Sequence, residues 1–292
     1  MRICIDNGNI LIRGADDFKL RDIFDCGQCF RFNPDGDGGY IGTAYNKTVR
    51  ISQADDTVIL HNTKEADFYD VWYKFLDLDR DSGKIKSTLT DSGDTKMCEA
   101  VKYGGGIRIL KQDLWETTIS FIISASNNIP RIKKIIELLC TNFGTPHIYE
   151  GKEYYSFPDA DTIASLSESE LGVIRAGFRT KYILNCAKVI ANGEFDLLSL
   201  YDIPSADAKK ELLKLSGVGN KVADCIMLFS LNRFDSFPVD VWIKRIMEYC
   251  YFDNVEQPIP KISEFAKNRF GDLGGIAQQY LFYYARSLKI GT

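Results

Sequence analysis

Lys221 and Asp240 are the two residues whose types and spacing best suit catalysis. Lys221 lies in LSGVGNKVADC (215–225), at the start of an apolar periodic run that predicts a helix. A cation in the first turn of a helix is disfavoured by the helix dipole, and burial of the amine would favour its neutral, nucleophilic form. The alternative is a surface lysine that contacts phosphate.

Asp240 follows Pro238 and Val239 and precedes a second helical run, VWIKRI. As an N-cap it would stabilise that helix. A carboxylate at a helix start can also face a cleft, where it would stabilise positive charge developing on a substrate. Either residue alone is compatible with a purely structural role, so the pair must be judged with the elements that position it.

The element that carries Lys221 is predicted to be a helix–hairpin–helix at 207–231, with GVG as its turn. Gly217 and Gly219 allow positive φ, so the chain can reverse tightly. They also leave the backbone N–H groups at the next helix start uncovered, and such groups attract phosphate without reading sequence. An ordinary helical hairpin is an equally good interpretation of these glycines alone.

Composition excludes several other chemistries. The 292 residues include only two histidines, His61 and His147, which disfavours a histidine zinc site or a serine–histidine triad. Of eight dispersed cysteines only Cys26 and Cys29 form a close pair, and no βαβ pattern surrounds them. We expect no thiol–disulfide enzyme, no iron–sulfur cluster, no signal peptide and no membrane span.

The order of the elements predicts an α+β fold. Alternating and β-branched segments within 1–62 indicate an antiparallel sheet, and 65–78 indicates a helix packed on it. From about 96 the apolar period becomes helical. We therefore predict a sheet domain with a flanking helix at 1–95 and an all-helical region at 96–292. The sheet domain carries 12 basic and 17 acidic side chains, so the acidity of the chain, net −4, is concentrated there.

The composite of these motifs resembles the 8-oxoguanine DNA glycosylases/AP lyases of the helix–hairpin–helix superfamily. The hairpin, its lysine and the Pro-Val-Asp stand in that family's order. Three further segments are similar to family segments: CGQCFRF (26–32), IRILKQDLWETTISFIISASNNIPRI (107–132) and GGIAQQYLFYYAR (274–286). The resemblance implies that Lys221 attacks C1′ of the damaged nucleoside and forms a Schiff base, that β-elimination then cuts the strand, and that Asp240 steadies the transition state.

The resemblance also implies how the lesion is recognised. The Gly27 carbonyl would accept the N7–H that 8-oxoguanine has and guanine lacks. Gln278 would read the Watson–Crick edge, and Phe282 and Cys225 would sandwich the extruded base. Core packing is the alternative for Phe282 and Cys225.

Further residues are implied to contact DNA around the extruded nucleotide. They are Asn128 near the lesion, Arg131 and Arg179 at the opposite cytosine, Gly217 and Gly219 at the phosphates, Phe178 as the wedge and Trp242 behind the aspartate. Phe178 and Trp242 depart from the tyrosine and histidine common in the family, which predicts a weaker preference for cytosine opposite the lesion.

The resemblance implies no required cofactor and allows a structural monovalent or calcium ion on the hairpin carbonyls of Leu213, Leu215 and Val218. The expected partner is double-stranded DNA containing 8-oxoguanine, bound by a monomer without a membrane. That places the protein in the cytoplasm with a bacterial chromosome, or in a nucleus.

Two other functions remain open from the sequence. An alkylated-base glycosylase of the same superfamily would use the aspartate with water, and a non-catalytic DNA-binding module would need the hairpin but no pocket.

Overall fold

The computed structural model describes residues 1–91 and 93–288 and begins with a six-stranded antiparallel sheet. In order β1-β2-β6-β5-β4-β3, its strands confirm the predicted sheet. Alternate residues of the central strands, such as Ile10 and Ile12 in β2, are buried, as a sheet with one covered face requires. The strands are β1 (Arg2–Asp6), β2 (Asn9–Arg13), β3 (Phe32–Pro34), β4 (Tyr40–Ala44), β5 (Lys47–Ala54) and β6 (Thr57–Leu60).

Helical segments cover the inner face of the sheet. The short α1 (Leu20–Phe24) precedes β3, and residues 65–75 form α2 (Glu65–Asp67), a π-helical turn (Phe68–Trp72) and α3 (Tyr73–Phe75). Phe68, Trp72 and Phe75 are buried against the sheet, and Phe24 stacks on Phe32 with ring centroids 4.4 Å apart. This aromatic core is the packing predicted for the helix at 65–78.

The rest of the described chain is mainly helical. The helices are α4 (Ser82–Thr90), α5 (Thr95–Tyr103), α6 (Leu114–Ser124), α7 (Ile129–Phe143), α8 (Ala160–Ala164), α9 (Glu168–Leu171), α10 (Arg179–Ala191), α11 (Ser205–Leu212), α12 (Asn220–Phe229), α13 (Val241–Tyr251), α14 (Ile259–Phe270) and α15 (Gly274–Ser287). Three 3₁₀ turns lie at Gly172–Ile174, Leu198–Tyr201 and Gly271–Leu273. Within 1–91 and 93–288 no helix is long and apolar enough to cross a membrane.

The helical region also contains a β-hairpin, β7 (Pro146–Tyr149) and β8 (Lys152–Tyr155), which the all-helical expectation for 96–292 did not include. It docks on the sheet domain. His147 Nε2 lies 2.7 Å from Thr48 Oγ1, and the Tyr149 hydroxyl donates to the His61 carbonyl at 2.9 Å. The predicted division after residue 95 falls at the first residue of α5 and stays a prediction.

Three helices that contribute residues to the cavity described below begin at short polar side chains. Asp113, Asn128 and Asp240 are the N-caps of α6, α7 and α13, and each accepts a backbone N–H of the first turn. Pro130 lies in the first turn of α7, where its missing N–H costs nothing. These caps fix where each helix begins, and the starts of α7 and α13 lie at one cavity.

Candidate active site

A cavity of about 380 Å³ opens between the sheet domain and the helices. The ends of α6, α7, α12, α13 and α15 surround it, together with the segment between α1 and β3. The structure therefore brings together residues predicted from segments more than 200 positions apart. Six predicted site residues line it: Gly27, Asn128, Lys221, Asp240, Trp242 and Phe282.

Lys221 enters the cavity from the first turn of α12. Its Nζ donates a hydrogen bond to Ser124 Oγ at 3.0 Å and lies 5.2 Å from the centre of the Phe121 ring. The Ser124 hydroxyl itself donates to the Phe121 carbonyl at 2.8 Å, so its oxygen is left to accept from the amine.

Asp240 is both the helix cap and a wall of the cavity. Its Oδ1 accepts the N–H of Ile243 at 2.8 Å, which confirms the predicted N-cap. A carboxylate has two oxygens, so capping through Oδ1 does not use the whole group. The two sequence interpretations of Asp240, cap and cleft residue, are therefore compatible.

Cys225 is buried one turn beyond Lys221 on α12. Burial raises the pKa of its thiol to about 12, with the Lys221 charge opposing the rise and the Asp240 charge adding to it. Both charges thus act on the same thiol. Such a thiol stays protonated near neutral pH, so Cys225 serves as an apolar surface rather than as a second nucleophile.

Gly27 forms the opposite side of the cavity. Its φ is +83°, and a Cβ at this position would lie 3.1 Å from Phe282 Cε1 and 3.4 Å from Ile129 Cδ1. A side chain here is therefore disfavoured by the backbone conformation and by the space available. Phe282 packs directly on this glycine and contributes its ring to the cavity.

Two glutamines hold the peptides on either side of Gly27. Gln28 is fully buried; its Nε2 donates to the Arg108 carbonyl at 2.8 Å and its Oε1 accepts the Leu110 N–H at 2.9 Å. Gln279 Nε2 donates to the Cys26 carbonyl at 2.6 Å. These long-range bonds tie the glycine to the helical region and fix its carbonyl.

Gln278 differs from its neighbour Gln279 in having an unused acceptor. It is 5% exposed, and its Oε1 has no hydrogen-bond partner among the described residues. An orphaned buried acceptor costs about 1–3 kcal/mol. Neither Gln278 nor Cys225 is among the residues that line the cavity, so their predicted contacts with the base stay predictions.

The hairpin glycines differ from each other, which corrects one expectation. Gly217 has φ +83°, and a Cβ there would lie 2.7 Å from Tyr182 Cβ, so glycine is required. Gly219 has φ −95° and does not use positive φ; it is the N-cap of α12 and has open space around it. Its role is to leave the first-turn N–H groups of α12 without a side-chain cap.

The residues predicted to contact the opposite base differ in their exposure to solvent. Phe178 is 61% exposed at the start of α10, as a wedge requires. Arg179 is only 3% exposed: its Nε donates to the Ala125 carbonyl at 2.8 Å and its Nη2 to the Ser126 carbonyl at 2.9 Å. These carbonyls end α6 and lack intrahelical partners, so Arg179 satisfies them.

Burial and a neighbouring positive charge both act on the pKa of Arg179. Burial lowers the pKa of Arg179, and the nearby exposed Arg131 lowers it further. The predicted cytosine contact of Arg179 stays a prediction, and its guanidinium already donates to the carbonyls of Ala125, Ser126 and Ala176. Asn128 caps α7 by accepting the Arg131 N–H at 3.0 Å, and its exposed amide faces the cavity mouth.

The predicted cation ligands lie at the turn of the hairpin. Leu213 is the C-cap of α11, where helix carbonyls lack intrahelical partners. The Leu215 carbonyl accepts the Val218 N–H at 3.1 Å and keeps a second lone pair. Carbonyl oxygens at Leu213, Leu215 and Val218 fit the donor type that hard cations such as calcium prefer.

Sequence reasoning did not single out several residues that line the cavity, among them Phe121, Ser124 and Arg286. Ser124 and Phe121 belong to an apolar helical run, whose pattern indicates burial but not contact with Lys221. Arg286 ends the segment that contains Gln278 and Phe282, and the three residues are spaced four apart. This helical spacing was the available signal that Arg286 shares their face of α15.

Comparisons with known proteins agree with this arrangement. Residues 10–118 match the 8-oxoguanine DNA glycosylase N-terminal domain, and 119–269 match the HhH-GPD superfamily of base excision DNA repair proteins. Among solved structures, the chain is similar to MBOgg1 in complex with a low affinity DNA ligand, at 46% identity and TM-score 0.95 over 99% of each chain.

Two further relatives carry informative names. One is a Clostridium acetobutylicum 8-oxoguanine glycosylase/lyase solved with double-stranded DNA containing cytosine opposite 8-oxoG, at 42% identity and TM-score 0.95 over 99% of each chain. The other is the N-glycosylase/DNA lyase OGG1 of Arabidopsis thaliana, 31% identical over 278 residues, covering 89% of this chain and 75% of that protein.

Proposed function

The chain belongs to the HhH-GPD superfamily of base excision DNA repair proteins, and from that premise we propose how its cavity works. It is an 8-oxoguanine DNA glycosylase and AP lyase, and Lys221 is its nucleophile. The observation that carries the proposal is the meeting of the Lys221 amine and the Asp240 carboxylate at one cavity.

The first step requires the damaged nucleotide to leave the duplex, at a cost of roughly a few kcal/mol in stacking and pairing. Neutral Lys221 then attacks C1′ with its lone pair. The C1′–N9 bond breaks, the base leaves with the bonding electrons, and the nitrogen now bound at C1′ loses a proton that the base takes up, which leaves a secondary amine on the sugar. Asp240 stabilises the positive charge that develops on the sugar while that bond lengthens.

The second step follows from the amine bound at C1′. The C1′–O4′ bond opens, O4′ takes a proton, and the nitrogen becomes an iminium ion, the Schiff base. Loss of a proton from C2′ expels the phosphate at C3′ and cuts the strand on the 3′ side. Water then hydrolyses the iminium and returns Lys221 as the free amine.

Recognition uses the opposite side of the cavity. The fixed Gly27 carbonyl accepts the N7–H of 8-oxoguanine, whereas guanine presents an acceptor lone pair at N7 and is repelled. The unpaired Oε1 of Gln278 accepts a donor from the Watson–Crick edge. Phe282 covers one face of the base, and Cys225 provides an apolar surface for the other.

The enzyme is proposed to act as a monomer on duplex DNA and to need no organic cofactor, since an amine and a carboxylate supply the chemistry. A hard cation on the carbonyls of Leu213, Leu215 and Val218 would stiffen the hairpin that holds phosphate. Chelation should then weaken duplex affinity without removing the chemical step.

The test is borohydride trapping on a duplex containing 8-oxoguanine. Wild type should yield a covalent adduct, and Lys221→Gln should yield none and lose at least about a thousandfold in excision rate. Lys214→Gln is the matched control, because Lys214 is an exposed lysine of the same hairpin that pairs with Glu211. It should trap like wild type.

Other outcomes would identify the competing functions. Excision by wild type without an adduct would indicate the water mechanism of an alkylated-base glycosylase. Duplex binding without any excision would indicate a non-catalytic module. Either result would contradict the role assigned to Lys221.

A further inference from the structure

A second cavity, of about 310 Å³, adjoins the Lys221 cavity. The two share Gly27, Ile129 and Arg286 in their walls, so the glycine that faces the lesion separates them. The proposed excision and strand-cleavage steps do not use this second cavity.

Three cations from three separate elements line the second cavity. They are Arg21 of α1, Lys133 of α7 and Arg286 of α15. In the described ranges, none of the three has a carboxylate oxygen within the 4.0 Å of an ion pair. Their charges are therefore not neutralised by neighbouring acids.

Neutral acceptors hold two of these cations in place. Lys133 Nζ donates to the Phe32 carbonyl at 2.7 Å and to Asn33 Oδ1 at 3.1 Å. Arg286 Nη1 donates to the Asp25 carbonyl at 2.6 Å. These bonds orient the side chains and leave further N–H groups on each, in particular the second guanidinium nitrogen of Arg286.

The cavity contains one carboxylate, Asp25, which is already engaged. Its Oδ2 accepts the Tyr40 hydroxyl at 2.7 Å. With three cations against one carboxylate, the lining carries an excess of positive charge in a chain whose net charge is −4. Convergent arginine and lysine donors with such an excess are the chemistry that recognises phosphate.

We propose that the cavity lined by Arg21, Lys133 and Arg286 binds a backbone phosphate of the damaged strand beside the extruded nucleotide. This inference rests on the proposed function. The shared wall makes the assignment specific: a strand whose nucleotide occupies the Lys221 cavity passes Arg286, which reaches both spaces. The phosphate contact would hold the strand while the base lies against Gly27.

The test is the salt dependence of duplex affinity for Arg21→Gln. Arg21 is exposed and lies outside the Lys221 cavity. Losing one phosphate contact should weaken binding about threefold to tenfold and lower the slope of log Kd against log salt by about 0.9. Lys64→Gln removes one exposed cation from the same domain and should leave both quantities at their wild-type values.

A second variant, Lys133→Gln, removes another cation of the same cavity. It should lower the slope of log Kd against log salt by a similar amount. Thermal unfolding of the variant shows whether it is folded. Unchanged slopes in both variants would overturn the proposal, as would an equal loss in Lys64→Gln. Saturable binding of inorganic phosphate that Arg21→Gln abolishes without changing the duplex slope would also overturn it, because the cavity would then take free anions.

Borohydride trapping in the same wild-type preparation separates this inference from the proposed function. Absence of the adduct in wild type would refute the Lys221 mechanism. Normal trapping with unchanged slopes would refute the phosphate cavity alone.

Discussion

The two sides of the Lys221 cavity are built by different means. On one side, which we call the Lys221 wall, Lys221, Ser124 and Asp240 stand at helix ends, and local helix geometry places them. On the other, the Gly27 wall, Gly27 and Phe282 depend on contacts between distant segments, such as the bond from Gln279 to Cys26. Local helix geometry thus sets where Lys221, Ser124 and Asp240 stand on their own helices, whereas Gly27 is held by long-range hydrogen bonds, so variants should separate the two walls.

The largest effect is expected from Asp240 in the Lys221 wall. Asp240→Asn keeps an N-cap, since asparagine caps helices as well as aspartate, but removes the negative charge. Excision should fall about a hundredfold to a thousandfold with little change in stability. Single-turnover kinetics measures the excision rate, and thermal unfolding measures the stability.

Asp240→Ala is the matched variant. It loses the cap as well as the charge, so its rate should fall as far and its free energy of unfolding should also fall by about 1 kcal/mol. A normal rate in Asp240→Asn would show that Asp240 is only a cap.

The next effect concerns the Gly27 wall. Gly27→Ala adds a Cβ 3.1 Å from the Phe282 ring at a positive φ, so the cavity must deform. We expect excision of 8-oxoguanine to fall about tenfold or more, because misplacing the recognition carbonyl weakens binding of the base. Rates with saturating duplex and the affinity for the lesion should both be measured.

Gly8→Ala is the control for the loss of stability that alanine causes at a positive φ. Gly8 has φ +79° and no atom within 4 Å of an added Cβ. It should lose about 1 kcal/mol of stability, as a left-handed alanine does, and keep its excision rate. Equal activity losses in the two variants would mean that stability, rather than the Gly27 wall, determines the rate.

Gln278 and Gln279, on the helix that carries Phe282, offer a smaller but sharper contrast. Gln278→Met removes the unpaired buried oxygen, so the free protein should become more stable by about 1 kcal/mol while excision falls about tenfold. Gln279→Met breaks the bond to the Cys26 carbonyl and should lower stability by about 1–3 kcal/mol. Loss of stability in Gln278→Met would contradict its assignment as a substrate acceptor.

The smallest effect tests how the hairpin β7–β8 docks on the sheet domain. Burial lowers the pKa of His147 and of His61 below the ordinary value of 6.5, so the unfolded state binds more protons as pH falls through that value. Stability should therefore decrease between pH 7.5 and 5.5. In His147→Gln the decrease of the melting temperature should be smaller; an equal decrease would exclude His147 as a contributor.

Much of this molecule was predictable because its signals are local. Alternation within 1–62 predicted the sheet, and glycines, a cap and helical periods predicted the hairpin and the start of α13. The Lys221–Ser124 bond, the hairpin β7–β8 and the burial of Arg179 were not predictable. The bond and the burial of Arg179 depend on contacts between segments far apart in the chain, and periodicity carries no record of which segments meet. The strands of the hairpin pair locally, but the hairpin packs on the distant sheet domain.

The most direct test of the central claim is to locate the trapped adduct. Wild type should be reduced with borohydride on a duplex containing 8-oxoguanine, digested, and its peptides identified by mass spectrometry. We expect one modified peptide, with the reduced sugar on Lys221. Modification of another amine, such as Lys209, Lys214 or the N-terminus, would contradict it.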